Sequence, residues 1–207
     1  MLTGTFPGDP RAEWLIDRGV PFVSFGRPWG ADDLGAPAHH WVDVDGASGT
    51  AQATAHALRT AGARVAFLGW PAGSATGDDR ERVWRETLPT DAAGPRLVSR
   101  ESVAEARDAA AAAFAEQLPD AIVCASDSLA VGAHLAAVAA GCPRLPIIGF
   151  DNTPAVEALG LPSVEQLPEE VAAGTLDLLM GEGSSITQAA ALPHRAHVLV
   201  TPRLVVR

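Results

Sequence analysis

Residues 121–140 read AIVCASDSLAVGAHLAAVAA, and residues 147–151 read IIGFD. A short run of β-branched and small apolar residues gives way to Ser126 and Asp127. An alanine- and leucine-rich stretch follows and stops at Gly141. This is the pattern of a buried strand, a helix opened by capping residues, and a second buried strand. Glycine just past a helix frees the backbone for the turn back toward the sheet. Gly19, Gly62 and Gly141 each stand between a helical run and a strand. Strand, helix and strand in succession build right-handed βαβ units and a mainly parallel sheet.

The same alternation extends outward over the chain. Strands are expected at Met1–Thr5, Pro21–Phe25, His40–Val44, Val65–Leu68, Ala121–Ala125, Ile147–Phe150, Val198–Val200 and Leu204–Val206. Helices are expected at Arg11–Arg18, Gly46–Ala61, Asp78–Leu88, Ser102–Gln117, Ser128–Ala140 and Glu169–Met180. The fold class is α/β. Two loops interrupt the rhythm, Arg27–Ala38 and Pro71–Gly77, with the Gly, Pro, Ser and Asp content shared by linkers and ligand loops. Ala106–Ala115 reads as a strong helix rather than as low complexity.

Composition narrows the function. The 207 residues are 47% hydrophobic, ample for a buried core, and no apolar run approaches the ~20 residues of a membrane span. Fifteen basic residues, all Arg, face 25 acidic ones, for a net charge of −10. A domain that grips nucleic acid by its phosphates needs a basic face, and no basic cluster exists here. The absence of a secretory signal and of disulfide spacing points to a cytoplasmic protein. Cys124 and Cys142 fit no zinc spacing and read as buried apolar residues.

In open parallel sheets, ligands bind beyond the carboxyl ends of the strands. Gly69 and Trp70 follow Val65–Leu68, and a loop leads on to Asp78, Asp79 and Arg80. Ser126 and Asp127 follow the strand at 121–125, and Asp151 and Asn152 follow Ile147–Phe150. An Arg and two Asp delivered to one edge suit a ligand with many hydroxyls, because each makes charge-assisted hydrogen bonds. The competing reading makes Ser126 and Asp151 helix caps. On the residues alone both readings stand.

Other constellations carry less. His39, His40, Asp43 and Asp45 resemble a metal cluster, but His40 and Asp43 point to opposite faces of a strand, and no metal site or cofactor is expected. Gly46-Ala47-Ser48-Gly49 fails the register of a nucleophile elbow. Gly181–Gly183 does not follow a strand, as a phosphate loop would. Among Trp29, Trp41, Trp70 and Trp84, Trp70 alone sits at a strand's carboxyl end. No nucleophile, base and orienting residue fall into one motif, so the chain is not expected to be an enzyme.

These pieces resemble the effector-binding part of the lactose-repressor/galactose-repressor (LacI/GalR) family of bacterial transcription regulators. The resemblance rests on Arg18-Gly19-Val20-Pro21-Phe22-Val23, on Val44-Asp45-Gly46, and on Ala61-Gly62-Ala63-Arg64-Val65-Ala66-Phe67-Leu68. It continues through Asp79-Arg80, Pro119-Asp120-Ala121-Ile122, and Ala125-Ser126-Asp127-Ser128-Leu129-Ala130-Val131-Gly132. Ile148-Gly149-Phe150-Asp151, Ser163-Val164-Glu165-Gln166 and Thr201-Pro202-Arg203-Leu204-Val205-Val206-Arg207 complete it. Order and spacing agree from end to end.

The resemblance implies a periplasmic-binding-protein-like fold, with two parallel-sheet subdomains around a cleft for a small effector, commonly a sugar or nucleobase. Its effector-contacting arginine falls on Arg80, its cleft aspartates on Asp127 and Asp151, and a further carboxylate on Asp45. The aromatic expected near Ser99–Ser102 has no counterpart, and Trp70 is the substitute. Three other departures are Val83, where the family has Gly after the binding arginine, Gly46, where it has Asn, and Ala63, where it has His. The expected division is 1–45 plus 165–193 for a first subdomain lacking two βα units, and 46–162 plus 196–207 for the second. A sheet short of strands exposes edges and apolar faces, so a homodimer is expected. DNA would be reached only through an N-terminal headpiece that these residues do not include, and no membrane partner is expected. A sugar-binding transport protein and a small α/β enzyme using Asp127 or Asp151 are the competing functions.

Overall fold

Two sheets organise the chain, and each belongs to its own unit. The computed structural model describes residues 1–29, 39–90, 94–180 and 197–207. Residues 30–38 of the first expected loop, the Gly181–Gly183 stretch and residues 181–193 of the first subdomain lie outside the described residues. The first unit is Met1–Asp45 with Leu167–Thr201, and the second is Gly46–Gln166 with Pro202–Arg207.

The chain opens in the first unit with β1 (Leu2–Thr3), α1 (Pro10–Asp17), β2 (Ser24–Phe25) and β3 (Trp41–Val44). It then builds most of the second unit: α2 (Gly46–Thr60), β4 (Val65–Gly69), α3 (Ala75–Thr87), β5 (Arg96–Val98) and α4 (Val103–Glu116). Next come β6 (Ala121–Cys124), α5 (Asp127–Ala139), β7 (Ile147–Phe150), α6 (Pro154–Ala158) and β8 (Ser163–Glu165). α7 (Pro168–Met180) and β9 (His197–Val200) return to the first unit, and β10 (Arg203–Val205) closes the second.

In the first unit the strand order is β1-β2-β3-β9, parallel throughout. Its core joins Val23, Val42 and Val200 to the α7 residues Val171, Leu178 and Leu179. Trp41 is fully buried and stacks on its register partner His197, with ring centroids 4.5 Å apart.

In the second unit the order is β10-β8-β7-β6-β4-β5, parallel except for β10 against β8. β4, β6 and β7 are buried at every residue, as central parallel strands covered on both faces should be. α2 buries a stripe of small residues, Gly46, Gly49, Thr50, Ala53, Thr54 and Ala57, at helical spacing. α4 and α5 approach closely on Ala106, Ala110, Gly132 and Ala133. Gly141 ends α5 with φ +74°, the left-handed turn its sequence position implied.

Several expectations are corrected. Residues 196–207 do not all belong to the second unit, as the sequence suggests, because β9 pairs with β3 from Trp41↔His197 to Val44↔Val200. Val200 shares the core of Val23 and Val42, which holds it in the first unit. Pro202, lacking an N–H, stands where the chain leaves that ladder. Glu165, expected to open the return to the first subdomain, instead ends β8 opposite Arg203. α3 starts at Ala75 rather than Asp78 because Ser74 caps it, accepting from the Gly77 N–H. Of the two cysteines, Cys124 is buried and Cys142 is only half-buried.

Candidate ligand-binding site

Read across the second sheet, the strand order β8-β7-β6-β4-β5 sets Gln166, Asp151, Asp127 with Ser126, Trp70 and Glu101 along one carboxyl edge. Parallel strands point their carboxyl ends the same way, so five separate stretches of sequence converge there.

Arg80 reaches this edge from the second turn of α3. It is only 6% exposed, and its Nη1 donates to the Ala125 carbonyl at 2.5 Å. Its guanidinium lies 3.5 Å from the centre of the Phe150 ring and 5.7 Å from the Trp70 ring. A planar cation stacked on an aromatic face is held in one orientation while its remaining N–H groups stay directed.

Asp127 is the first residue of α5 and 2% exposed. One carboxylate oxygen accepts from the Ser163 hydroxyl and the other from the Thr153 N–H, both at 2.6 Å. Asp127 therefore ties β8 and the turn after β7 to the start of α5. The cap of α5 is Ser126, whose Oγ accepts from the Leu129 N–H. Both carboxylate oxygens of Asp127 are thus engaged by groups of the protein itself.

Asp151 stands differently. Its N–H donates to the Val164 carbonyl at 2.8 Å, its carboxylate accepts from the Gln166 side-chain amide, and its φ is +120°. An L-residue is strained there, and strain of this kind gathers where a site over-determines the backbone. The capping alternative fails, because α6 is capped at Thr153 with no side-chain bond. Burial pushes the Asp151 carboxyl up to about 6, against the downward pull of Arg80 and the Gln166 amide; Asp127 and Glu101 add to the rise.

Trp70 follows β4, and its indole N–H donates to Glu101 at 2.6 Å. The Glu101 carboxylate also accepts from the Ser126 hydroxyl at 2.8 and 3.0 Å. Glu101 and Gln166 were not singled out as site residues from the sequence. The signal for both was available in principle: each follows a strand, but β5 and β8 are three residues long and carry no clear apolar run.

Asp45 closes β3 in the first unit, its N–H donating to the Val200 carbonyl at 2.8 Å. Among the described residues, no group of three or more His, Cys, Asp or Glu is arranged to hold a metal ion. Among them, too, no helix is long and apolar enough to cross a membrane.

Residues 54–207 match the model of the periplasmic binding protein-like domain. The chain is 32% identical to the HTH-type transcriptional regulator CelR of Thermobifida fusca over 97% of its own length, and it spans 61% of that relative. A crystal structure of a LacI-family regulatory protein from Chloroflexus aggregans superposes with a TM-score of 0.83 at 32% identity, covering all of this chain and 74% of the other. A CelR–cellobiose complex superposes with a TM-score of 0.79 at 24% identity, over the whole chain and 64% of that structure, a likeness of fold. The architecture is that of these relatives, and the chain belongs to the periplasmic-binding-protein-like domain family, homologous to LacI-family transcriptional regulators.

Proposed function

We propose that this chain is the effector-binding domain of a LacI-type bacterial transcription regulator, and that it binds a sugar-like small molecule at the carboxyl edge of β4–β8. The observation that carries this reading is Asp151: a half-buried carboxylate on strained backbone, held by Gln166 beside the fixed guanidinium of Arg80. Such a pair accepts from and donates to vicinal hydroxyls at once. Trp70 supplies an aromatic face, and Asp127 is the buried strut that fixes the Asp151 turn. No catalytic role is assigned to Asp127 or Asp151.

Cellobiose is the first sugar to try, because one relative is CelR and a CelR–cellobiose complex shares the fold. Operator contact would belong to a DNA-binding segment beyond these residues, since a net charge of −10 repels phosphate. A homodimer is supported by the exposed apolar residues Phe6, Trp14 and Ile16 around α1, which buries none of its residues. Light scattering on the purified chain reads that state directly.

The test is calorimetric titration and thermal shift against cellobiose, glucose, ribose and nucleobases. A ligand at 100 times its Kd adds about 2.7 kcal/mol of stability. A melting curve unmoved by every compound at millimolar concentration overturns the reading.

A further inference from the structure

We infer that Arg96 is a positioning residue for the ligand-binding edge: it fixes Trp70 against α3, so that the indole meets a sugar in a set relation to Arg80. The inference rests on the ligand-binding reading above.

Arg96 opens β5 opposite Phe67 of β4, so its side chain starts beside that ring and reaches along the strand. Its guanidinium lies 5.3 Å from the centre of the buried Phe67 ring, which leaves the donors at its edge free to spread. Nε donates to Glu81 at 2.6 Å, and Nη2 donates to the Trp70 carbonyl at 2.6 Å. Nη1 donates to the Gly69 carbonyl at 3.2 Å and to the Leu97 carbonyl. The β4–β5 register ends at Gly69↔Val98. The Trp70 carbonyl lies past that last pair, and the Arg96 side chain supplies its donor.

Glu81 neighbours Arg80 in the second turn of α3. One planar fork therefore joins β5, the end of β4 and the helix that carries Arg80, as a single ammonium could not. The Trp70 ring has two further fixed points. Its N–H donates to Glu101, and a Cβ on Gly77 would lie 2.8 Å from its Cε3 atom. The indole is thus seated directly on the first turn of α3. Held at its carbonyl, its N–H and one side of its ring, it is ordered before a ligand arrives, which removes an ordering cost from binding. Arg96 acts through Trp70.

The test is a double-mutant cycle with Arg96→Lys, Trp70→Ala and the double variant. Each is titrated calorimetrically with cellobiose, glucose and ribose, alongside melting curves and tryptophan emission. Lysine keeps the charge opposite Glu81 but loses the fork. Arg96→Lys should weaken sugar binding by about three- to tenfold, the ordering cost of one loosened side chain. The Trp70 emission, taken as the difference from Trp70→Ala, should shift to the red and quench more readily with acrylamide. In the Trp70→Ala background, Arg96→Lys should cost no further affinity, because residues acting through one contact do not add. A lysine variant that binds as tightly as the parent, an unmoved Trp70 emission, or losses that add in the double variant each overturn the inference while the sugar-binding reading stands. A lowered melting temperature with affinity intact makes Arg96 merely structural and overturns it too. If no sugar binds the parent, the ligand-binding reading falls, and this inference with it.

Discussion

Gln166, directly after β8, donates its side-chain amide to the carboxylate of Asp151, directly after β7 and fifteen residues earlier in the chain. The two strands are parallel neighbours, with Gly149 opposite Ser163 and Phe150 opposite Val164, so Asp151 falls at the level of Glu165 and Gln166 lies one residue further along. The contact orients a carboxylate that burial would otherwise neutralise. The positive charge of Arg80 pulls the same carboxyl downward.

Stability should depend on pH through this group. The folded-state value of about 6 lies above the usual 3.8, so the native state holds an extra proton between about pH 4 and 6. The unfavourable contribution of Asp151 is absent below about pH 4 and complete above about pH 6. Asp151→Asn should therefore raise the melting temperature most above that window and least near its acid end. A melting difference between variant and parent that stays constant from pH 4.5 to 7.5 would contradict the assignment. Effector affinity in the parent should fall as the carboxylate is protonated below about pH 6.

Asp127 makes a different prediction, because it acts through the turn it ties. Asp127→Ala leaves the Thr153 N–H and the fully buried Ser163 hydroxyl without their acceptor. An unsatisfied buried polar group costs about 1–3 kcal/mol, so urea denaturation should show a loss of about 3 kcal/mol. Ser126→Ala removes a helix cap and should lose about 1 kcal/mol. The reverse ranking would show that Asp127 is not the strut.

The second unit was readable in outline because β4, β6 and β7 are continuous apolar runs. The polar pairs Ser126-Asp127 and Asp151-Asn152 stand just after β6 and β7, whereas β4 leads to Arg80 only through a loop and the first turn of α3. β5 and β8 were not readable: three residues at or beside a sheet edge carry too little apolar signal, and Glu101 and Gln166 were lost with them. The inward orientation of Asp127 was equally hidden, since its partner Ser163 lies on a strand the periodicity does not mark. β9 was misassigned because Val198–Val200 is as apolar as any second-unit strand; only its pairing with β3 decides its place.

Packing of α4 on α5 depends on the missing side chain of Gly132. A Cβ there would lie 2.5 Å from the Val103 carbonyl oxygen and 2.6 Å from the Ala106 Cβ. Backbone cannot yield as a flexible side chain can, so Gly132→Ala should cost about 1–3 kcal/mol by overpacking. Gly141→Ala meets nothing within 4 Å but must hold φ +74°, and should cost about 1 kcal/mol through the backbone alone. Denaturant midpoints of the two variants give the comparison. A milder effect at Gly132 than at Gly141 would mean that the two helices separate easily.

Asp151 joins strain, burial and the proposed binding role in one residue, so stability and affinity should move in opposite directions when it becomes glycine. Asp151→Gly relieves a φ of +120° that costs an L-residue about 1–3 kcal/mol. It also removes a carboxyl that burial disfavours in its charged form. Asp151→Ala removes the carboxyl but keeps the strain, and so should melt below Asp151→Gly. A hydrogen bond to a charged group contributes about 1.5–3 kcal/mol, so both variants should bind effector roughly 10- to 150-fold more weakly. A purely structural Asp151 predicts the opposite: lower melting temperatures with affinity intact. Melting curves and calorimetric titration on the same two variants, at pH 7.5 where the parent carboxylate is charged, separate these outcomes. If Asp151→Gly proves both less stable and unaltered in binding, the strained carboxylate at the end of β7 is not the effector's acceptor.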